Sequence, residues 1–415
     1  MVSARYFSVQ VNTLGKAIGV LPLLLWGCFG GSVQASSKEF DDFMAQQTLD
    51  MEQEAQEFSR YQVELERAFD AYEMAYLQEF EAYKQTIEAQ WGEFLDAGPK
   101  VWVSYVEGNK IRRVVDFEKG VVNVSLLLAE GDSANNARQI LNKAIENLLD
   151  STEADAYDAD PLARQVEQRL RKILIDIKTG KPSQRRLFAK EDLAALNFSH
   201  SPYMKVNTQT HSPVHWEITR AMSGEAEVVS ASFVIPHSVQ KKAEHLSDEV
   251  TAAAVKERLP PELILAVIET ESSFNPMARS HIPAYGLMQI VPRTAGRDAS
   301  RYLYGEMKIL APSYLYEIDK NIGVGSAYLH LLYYRYMRKI EDPISRLYCV
   351  IAAYNTGASN VGVAFTGRKS LSGAVETING LTSQEVYQTL VDNLAYEETR
   401  KYLKKVTQRM RKYVK

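Results

Sequence analysis

The chain holds only two cysteines in 415 residues, Cys28 and Cys349. Two thiols cannot build a disulfide framework or a zinc cluster, and no metal and no cofactor is expected. An excess of basic charge is also missing. The 48 basic side chains stand against 52 acidic ones, a net charge of −4, which excludes a whole-chain nucleic-acid binder. Beyond residue 27 no run is apolar enough to cross a bilayer, which takes about 20 residues. Glycine and proline are absent from 40–90, so nothing there interrupts a helix. What is present is globular in balance, with 46% apolar and 24% charged residues. The length suggests two or three units.

Residues 1–27 read as a secretory signal. Arg5 and Lys16 give a weakly positive start, and Ala17–Gly27 is an apolar run too short to span. Leu25-Trp26-Gly27-Cys28 resembles a bacterial lipoprotein signal. That resemblance implies that Cys28 is lipidated and that 28–39 is a tether. Phe29, where aspartate would imply retention in the inner membrane, implies the outer membrane, with the chain facing the periplasm. The other reading is a plain cleaved signal or uncleaved anchor with an incidental cysteine. Residues 40–90 carry 13 acidic and 3 basic side chains and predict one long helix. FSRYQ, FDAYE and FEAYK begin at Phe58, Phe69 and Phe80, an eleven-residue repeat close to the pitch of a straight helix. Such a helix would reach roughly 75 Å at about 1.5 Å per residue. Two readings stay open: a spacer, paired with itself or with a cell-wall partner, and an amphipathic helix lying on its own domain.

The expected fold class is α+β, with a mostly helical C-terminal domain preceded by a smaller α+β domain and the long helix. The middle domain is placed at 91–238. Strands are predicted at Val101–Val106, Arg113–Phe117, Val121–Leu128 and Glu225–Ile235, and helices at Ser133–Leu149 and Leu162–Ile177, with 151–161 as an acidic loop. Arg112 and Arg113 read as a solvated strand edge. The region has no glycine-rich phosphate loop, nucleophile elbow or metal-spaced histidines. His200, His211, His215 and His237 read as core or surface residues.

The C-terminal domain, 239–415, carries the chemistry. Pro260-Pro261 opens a helix with an apolar face, and Glu271 lies near its end. Apolar neighbours raise a carboxyl pKa, as a general acid requires. Glu269 points to a different face and is the weaker candidate. A helix-end glutamate alone is most often a solvated surface residue. The set is more telling: Glu271-Ser272-Ser273-Phe274-Asn275-Pro276, Ser280, Gly286-Leu287-Met288-Gln289, Asn321 with Gly325-Ser326-Ala327-Tyr328, Ala353-Tyr354-Asn355 and Glu398-Thr399-Arg400-Lys401-Tyr402. These motifs, in this order, resemble the lysozyme-like domain of lytic murein transglycosylases over about 245–415. The stretch opening with Trp91-Gly92 and Ala97-Gly98-Pro99-Lys100 resembles the N-terminal domain of the membrane-bound lytic murein transglycosylase C family. The long acidic helix is not expected in that pattern.

The resemblance implies a peptidoglycan-cleaving enzyme with Glu271 as its single catalytic acid. It implies that Ser280 contacts the sugar N-acetyl group and that Gln289, Tyr354 and Asn355 line the cleft. Glu398 and Tyr402 close the other wall. Thr356 and Ser359-Asn360 depart from the family pattern. The implied partner is the peptidoglycan glycan strand, with the outer membrane as anchor. The implied reaction breaks the MurNAc–GlcNAc bond without water, leaving a 1,6-anhydro ring. A lysozyme-type hydrolase on the same scaffold and a silent glycan-binding scaffold are the rivals. Cys349 reads as a buried small hydrophobe, and the basic run 401–415 either attracts anions or favours its own helix dipole.

Overall fold

The computed structural model describes residues 37–128, 134–173, 177–188, 215–220, 227–235 and 239–414. Cys28, His200, His211 and His237 lie outside the described residues. No described helix is long and apolar enough to cross a membrane. The chain divides into two units, Met1–Ala68 and Phe69–Lys415.

Helix α1 runs from Ser37 to Trp91. Within the first unit its large apolar side chains Leu49, Met51, Tyr61 and Val63 are exposed. Within the second unit the same repeat is consumed by packing. Phe69, Tyr72, Tyr76, Phe80, Ile87 and Trp91 are all buried, one stripe at helical spacing. For residues 69–91 the reading of a helix lying on its own domain therefore holds. Trp91 and Ile87 share a core with Tyr105 and Val228, and the Trp91 indole donates to the Asn109 carbonyl at 2.7 Å.

Strands β1 (Val101–Val106), β2 (Ile111–Asp116) and β3 (Val121–Leu127) form a meander. Strands β5 (His215–Arg220) and β6 (Glu227–Val234) complete an antiparallel sheet in the order β1-β2-β3-β6-β5. Tight turns at Gly108 and Gly120 adopt positive φ, which glycine tolerates without strain. Helix α2 (Ala134–Asp150) lays Leu141, Ile145 and Leu148 against β3 and β6.

Three expectations are corrected here. Arg112 and Arg113 do not sit on a solvated edge, because β2 is an inner strand. Arg113 is buried, bonds the Ser104 hydroxyl at 3.0 Å and lies over the Trp102 ring. Arg112 covers Trp91 and pairs with Glu93. The acidic stretch 151–161 is not all loop, since α3 (Glu153–Asp158) forms behind a Thr152–Asp155 capping box, which satisfies two free N–H groups at once. Helix α4 (Pro161–Ile173) stops before Ile177. There β4 (Ile177–Lys178) pairs in parallel with β7 (Ile309–Leu310) of the C-terminal region.

From Val239 onward helices dominate. The ones that matter for the site are Pro261–Ser272, Ile318–His330, Pro343–Thr356 and Glu397–Tyr413. The last packs on the first and third. Cys349 is buried among Val350, Ile351 and Ala352, and burial pushes its thiol pKa up, so it is inert.

Candidate active site

The helix Pro261–Ser272 begins with Pro261 at its first position, where the missing N–H costs nothing. Leu263, Ile264, Ala266, Val267 and Ile268 anchor it in the core. It ends abruptly because Ser273 and Phe274 both take left-handed φ, 51° and 67°, a conformation costly for side chains other than glycine. The buried Asn275 then fixes the exit. Its Nδ2 donates to the Pro99 carbonyl at 3.1 Å, and its Oδ1 accepts from the Met277 N–H at 3.0 Å.

Glu271, in the last turn, is surrounded by protein but keeps part of its surface open. Burial pushes its carboxyl up to about 7; Glu398 adds to the rise, while Tyr402 and the Lys100 ammonium oppose it. Such a group holds its proton near neutrality and can give it away. The Tyr402 hydroxyl is buried and makes no hydrogen bond of good geometry. It nevertheless acts on the Glu271 carboxyl, and burial and that carboxyl drive its own pKa up. A donor poised this way completes its bond when the carboxyl loses its proton. We therefore expect Tyr402→Phe to keep stability within about 1 kcal/mol, since no formed bond is lost. The same variant should move the alkaline limb of the pH–rate profile upward, because the interaction favouring the Glu271 anion has gone. A limb that stays in place would show that Tyr402 does not address the acid.

Glu269 makes the contrast. It is buried, pairs with Arg409 and Lys412, each at 3.0 Å, and accepts from the Tyr413 hydroxyl at 2.8 Å. Its oxygens are occupied, so it cannot serve as the acid. Part of the basic C-terminal run is spent here, clamping the last helix to the helix that carries Glu271.

The remaining candidates gather by degrees. Tyr354 donates to the Met288 carbonyl at 2.8 Å, and burial and Glu271 both raise its pKa. Gln289 adjoins Met288. Its φ is 47°, and its side chain donates to the Gly286 carbonyl at 3.1 Å. Asn355 accepts from the Thr399 hydroxyl at 2.7 Å, next to Glu398. Asn355, Thr356, Asn360, Tyr396, Glu398 and Thr399 line one open depression. Ser280 stands apart: among the described residues its bonds go to Ile282, Ala284 and Tyr76, not to Glu271, Tyr354 or Tyr402. The two departures from the family pattern answer each other, because the Asn360 amide donates to both the Thr356 carbonyl and hydroxyl, at 2.8 and 3.1 Å.

Three contributors had no assigned role in the sequence reading. Lys100 comes from the middle region and bears on Glu271 while ion-paired to Glu118. Thr399 orients Asn355. Asn321 is fully buried and brackets the Gly286–Gln289 turn. Asn321, a lone polar residue on an apolar helical face, was the visible signal; Lys100 gave none.

Known proteins resemble this chain over most of its length. Residues 248–376 match the family model "Transglycosylase SLT domain", and residues 70–179 match "Membrane-bound lytic murein transglycosylase C, N-terminal domain". The second match takes in the end of α1, which the sequence reading had left outside the pattern. Membrane-bound lytic murein transglycosylase C of Sodalis glossinidius (strain morsitans) is 32% identical over 80% of this chain and 88% of its own length. The Salmonella arizonae protein of that name is 33% identical over 80% of this chain and 87% of its own length. The 70 kDa soluble lytic transglycosylase of Escherichia coli is 25% identical over 40% of this chain and 23% of that chain, at a TM-score of 0.29. At more than 30% identity over four-fifths of its length, the chain belongs to the membrane-bound lytic murein transglycosylase C family.

Proposed function

We propose that this enzyme is a peptidoglycan lytic transglycosylase that cuts the β-1,4 bond between N-acetylmuramic acid and N-acetylglucosamine. The observation that carries the reading is the setting of Glu271, a carboxyl lifted to about 7 with the Tyr402 hydroxyl turned on it. Protonated Glu271 donates to the bridging oxygen, and the C1–oxygen bond breaks. The substrate's 2-acetamido oxygen stabilises the positive charge developing at C1. Glu271, now an anion favoured by Tyr402, takes the proton from the muramic 6-hydroxyl, and that oxygen attacks C1. The proton is returned, no water is consumed, and the product carries a 1,6-anhydro ring. Ser280, Gln289, Tyr354, Asn355 and Glu398 hold the glycan. A lipid on Cys28 anchors the chain to the outer membrane, facing the periplasm; relatives named membrane-bound support a membrane location and nothing finer.

One observation favours a second reading. Glu398 is a second carboxylate that acts on Glu271, and a lysozyme-type hydrolase needs two. Glu398 is exposed on the first turn of its helix, a poor place to hold a water molecule. Digestion of purified sacculi separates the two. Mass spectrometry is expected to find anhydro muropeptides, lighter than reducing-end ones by one water. Reducing ends alone would make the enzyme a hydrolase.

A further inference from the structure

We infer that Tyr76, Arg279, Asp96 and Asp160 are positioning residues that fix the Ser280 loop for the glycan. The inference rests on the reading of Ser280 as a substrate contact.

The loop has little holding power of its own. His281 and Ile282 are exposed, Ile282 by 72%. The Arg279–Tyr285 bridge and the Gly286 N–H to Ala278 carbonyl bond, at 2.8 Å, close its base, and beyond that base the Ser280 N–H meets the Ala284 carbonyl at 3.2 Å and the Ser280 hydroxyl meets the Ile282 carbonyl. Exposed loops of this kind wander unless tied down. Here three consecutive residues are each tied by a side chain drawn from 76–160. Arg279 is 4% exposed; its Nη2 meets Asp96 Oδ1 at 3.0 Å, and its Nη1 meets both Asp160 oxygens at 3.4 Å. The Ser280 carbonyl accepts from the Tyr76 hydroxyl at 3.2 Å. The His281 ring stands edge-on to Phe80 at 5.2 Å, and Phe80 stacks on Tyr76 at 6.1 Å.

These ties are directed. Apolar packing would hold α1 in place equally well, and a buried ion pair adds little net stability over apolar residues of the same volume. What the polar contacts supply is position. Asp160 is itself fixed, because its Oδ1 also accepts from the Ala163 N–H at the start of α4. Asp96 lies in the link between α1 and β1. Tyr76 addresses the backbone of Ser280, the residue of this loop whose side chain is to meet the sugar. The loop thus takes its coordinates from α1 and α4, outside the helices that carry Glu271.

The test is a double-mutant cycle on the full chain, with soluble uncross-linked glycan strands as substrate. Tyr76→Phe removes one hydroxyl and keeps the ring. It should raise KM about fivefold, the worth of one hydrogen bond, with kcat within about twofold and the same pH profile as the wild type. Ser280→Ala should raise KM as well. The double variant should be no worse than Ser280→Ala alone, because Tyr76 acts through Ser280. A merely structural tyrosine would show KM effects that multiply, and that result overturns the inference. An unchanged KM in Tyr76→Phe overturns it too. If Ser280→Ala leaves KM unchanged, the Ser280 contact falls and the positioning role with it, while cleavage by the wild type leaves the assignment of Glu271 standing.

Discussion

Glu271→Gln is expected to cut the cleavage rate at least about a thousandfold, within the range that a positioned acid–base group contributes, while glycan binding survives. The same substitution should stabilise the protein at alkaline pH. The reason is the carboxyl's shift from 4.5 to about 7, caused chiefly by burial. Between those values the native state keeps a proton that the unfolded chain has released, so stability falls as pH rises through that window. Above pH 7 the full cost of a buried anion is present, and below pH 4.5 none of it. The shift alone corresponds to at most about 3 kcal/mol, and the partial opening of Glu271 to solvent reduces this to about 1–2 kcal/mol. The neutral amide escapes the cost. Thermal unfolding at pH 4, 6 and 8 should show the Gln variant drawing ahead of the wild type only as pH rises. Sacculi digested at the wild-type rate would remove Glu271 from the mechanism. A stability gain equal at pH 4 and pH 8 would mean that its carboxyl is not raised.

Glu271 stands out as a candidate through the ordered set of motifs from Glu271 to Tyr402, and its own helix adds weaker local signs. Those local signs, a proline at the helix start, an apolar face and a glutamate at the end of that same face, all lie within twelve residues. The same periodicity set Glu269 aside, but the reason for setting it aside was not legible. Arg409 and Lys412 lie about 140 residues further on, and only the packing of two helices brings them to Glu269. Arg112 and Arg113 were misread for a related reason. Alternation in one strand shows which residues share a face, yet not whether the strand lies inside the sheet, which for β2 depends on β1 and β3 pairing along its two edges. The helix α3 was missed although Thr152-Glu153-Ala154-Asp155 carries a capping signature; its acidic composition outweighed it. The eleven-residue repeat predicted α1 and its buried face, but it could not say where burial begins. Leu65 and Tyr76 occupy equivalent positions in the repeat, yet Leu65 is half-buried and Tyr76 fully buried, and nothing local to either foretells the difference.

The bracket at Asn321 should be among the least replaceable positions in the protein. Its Oδ1 accepts from the Met288 N–H at 2.8 Å, and its Nδ2 donates to the carbonyls of Tyr285 at 2.8 Å and Leu315 at 2.7 Å. Gly286 turns beside it with a φ of 73°, and a Cβ there would stand 2.2 Å from the Asn321 amide and 2.4 Å from the Leu315 carbonyl. Backbone and amide therefore fill the space completely. Asn321→Leu would orphan the buried Met288 N–H and strip a donor from the Leu315 and Tyr285 carbonyls, the second of which keeps the Ile290 N–H at 3.0 Å; a buried polar group left without its partner costs about 1–3 kcal/mol. The expected loss is about 3–5 kcal/mol in denaturant unfolding, near the limit that most single domains withstand. Activity should fall with it, since the Met288 carbonyl that steadies Tyr354 belongs to the same turn. Asn321→Asp separates shape from chemistry. It keeps the acceptor for Met288 but sets a carboxylate oxygen against two carbonyls, so at pH 7 it should be unstable despite its matching size. As pH falls and the carboxyl gains a proton, one donor is restored and part of the stability should return. An Asp variant as stable as the wild type at pH 7 would show that the site needs only volume, and the bracket would lose its role.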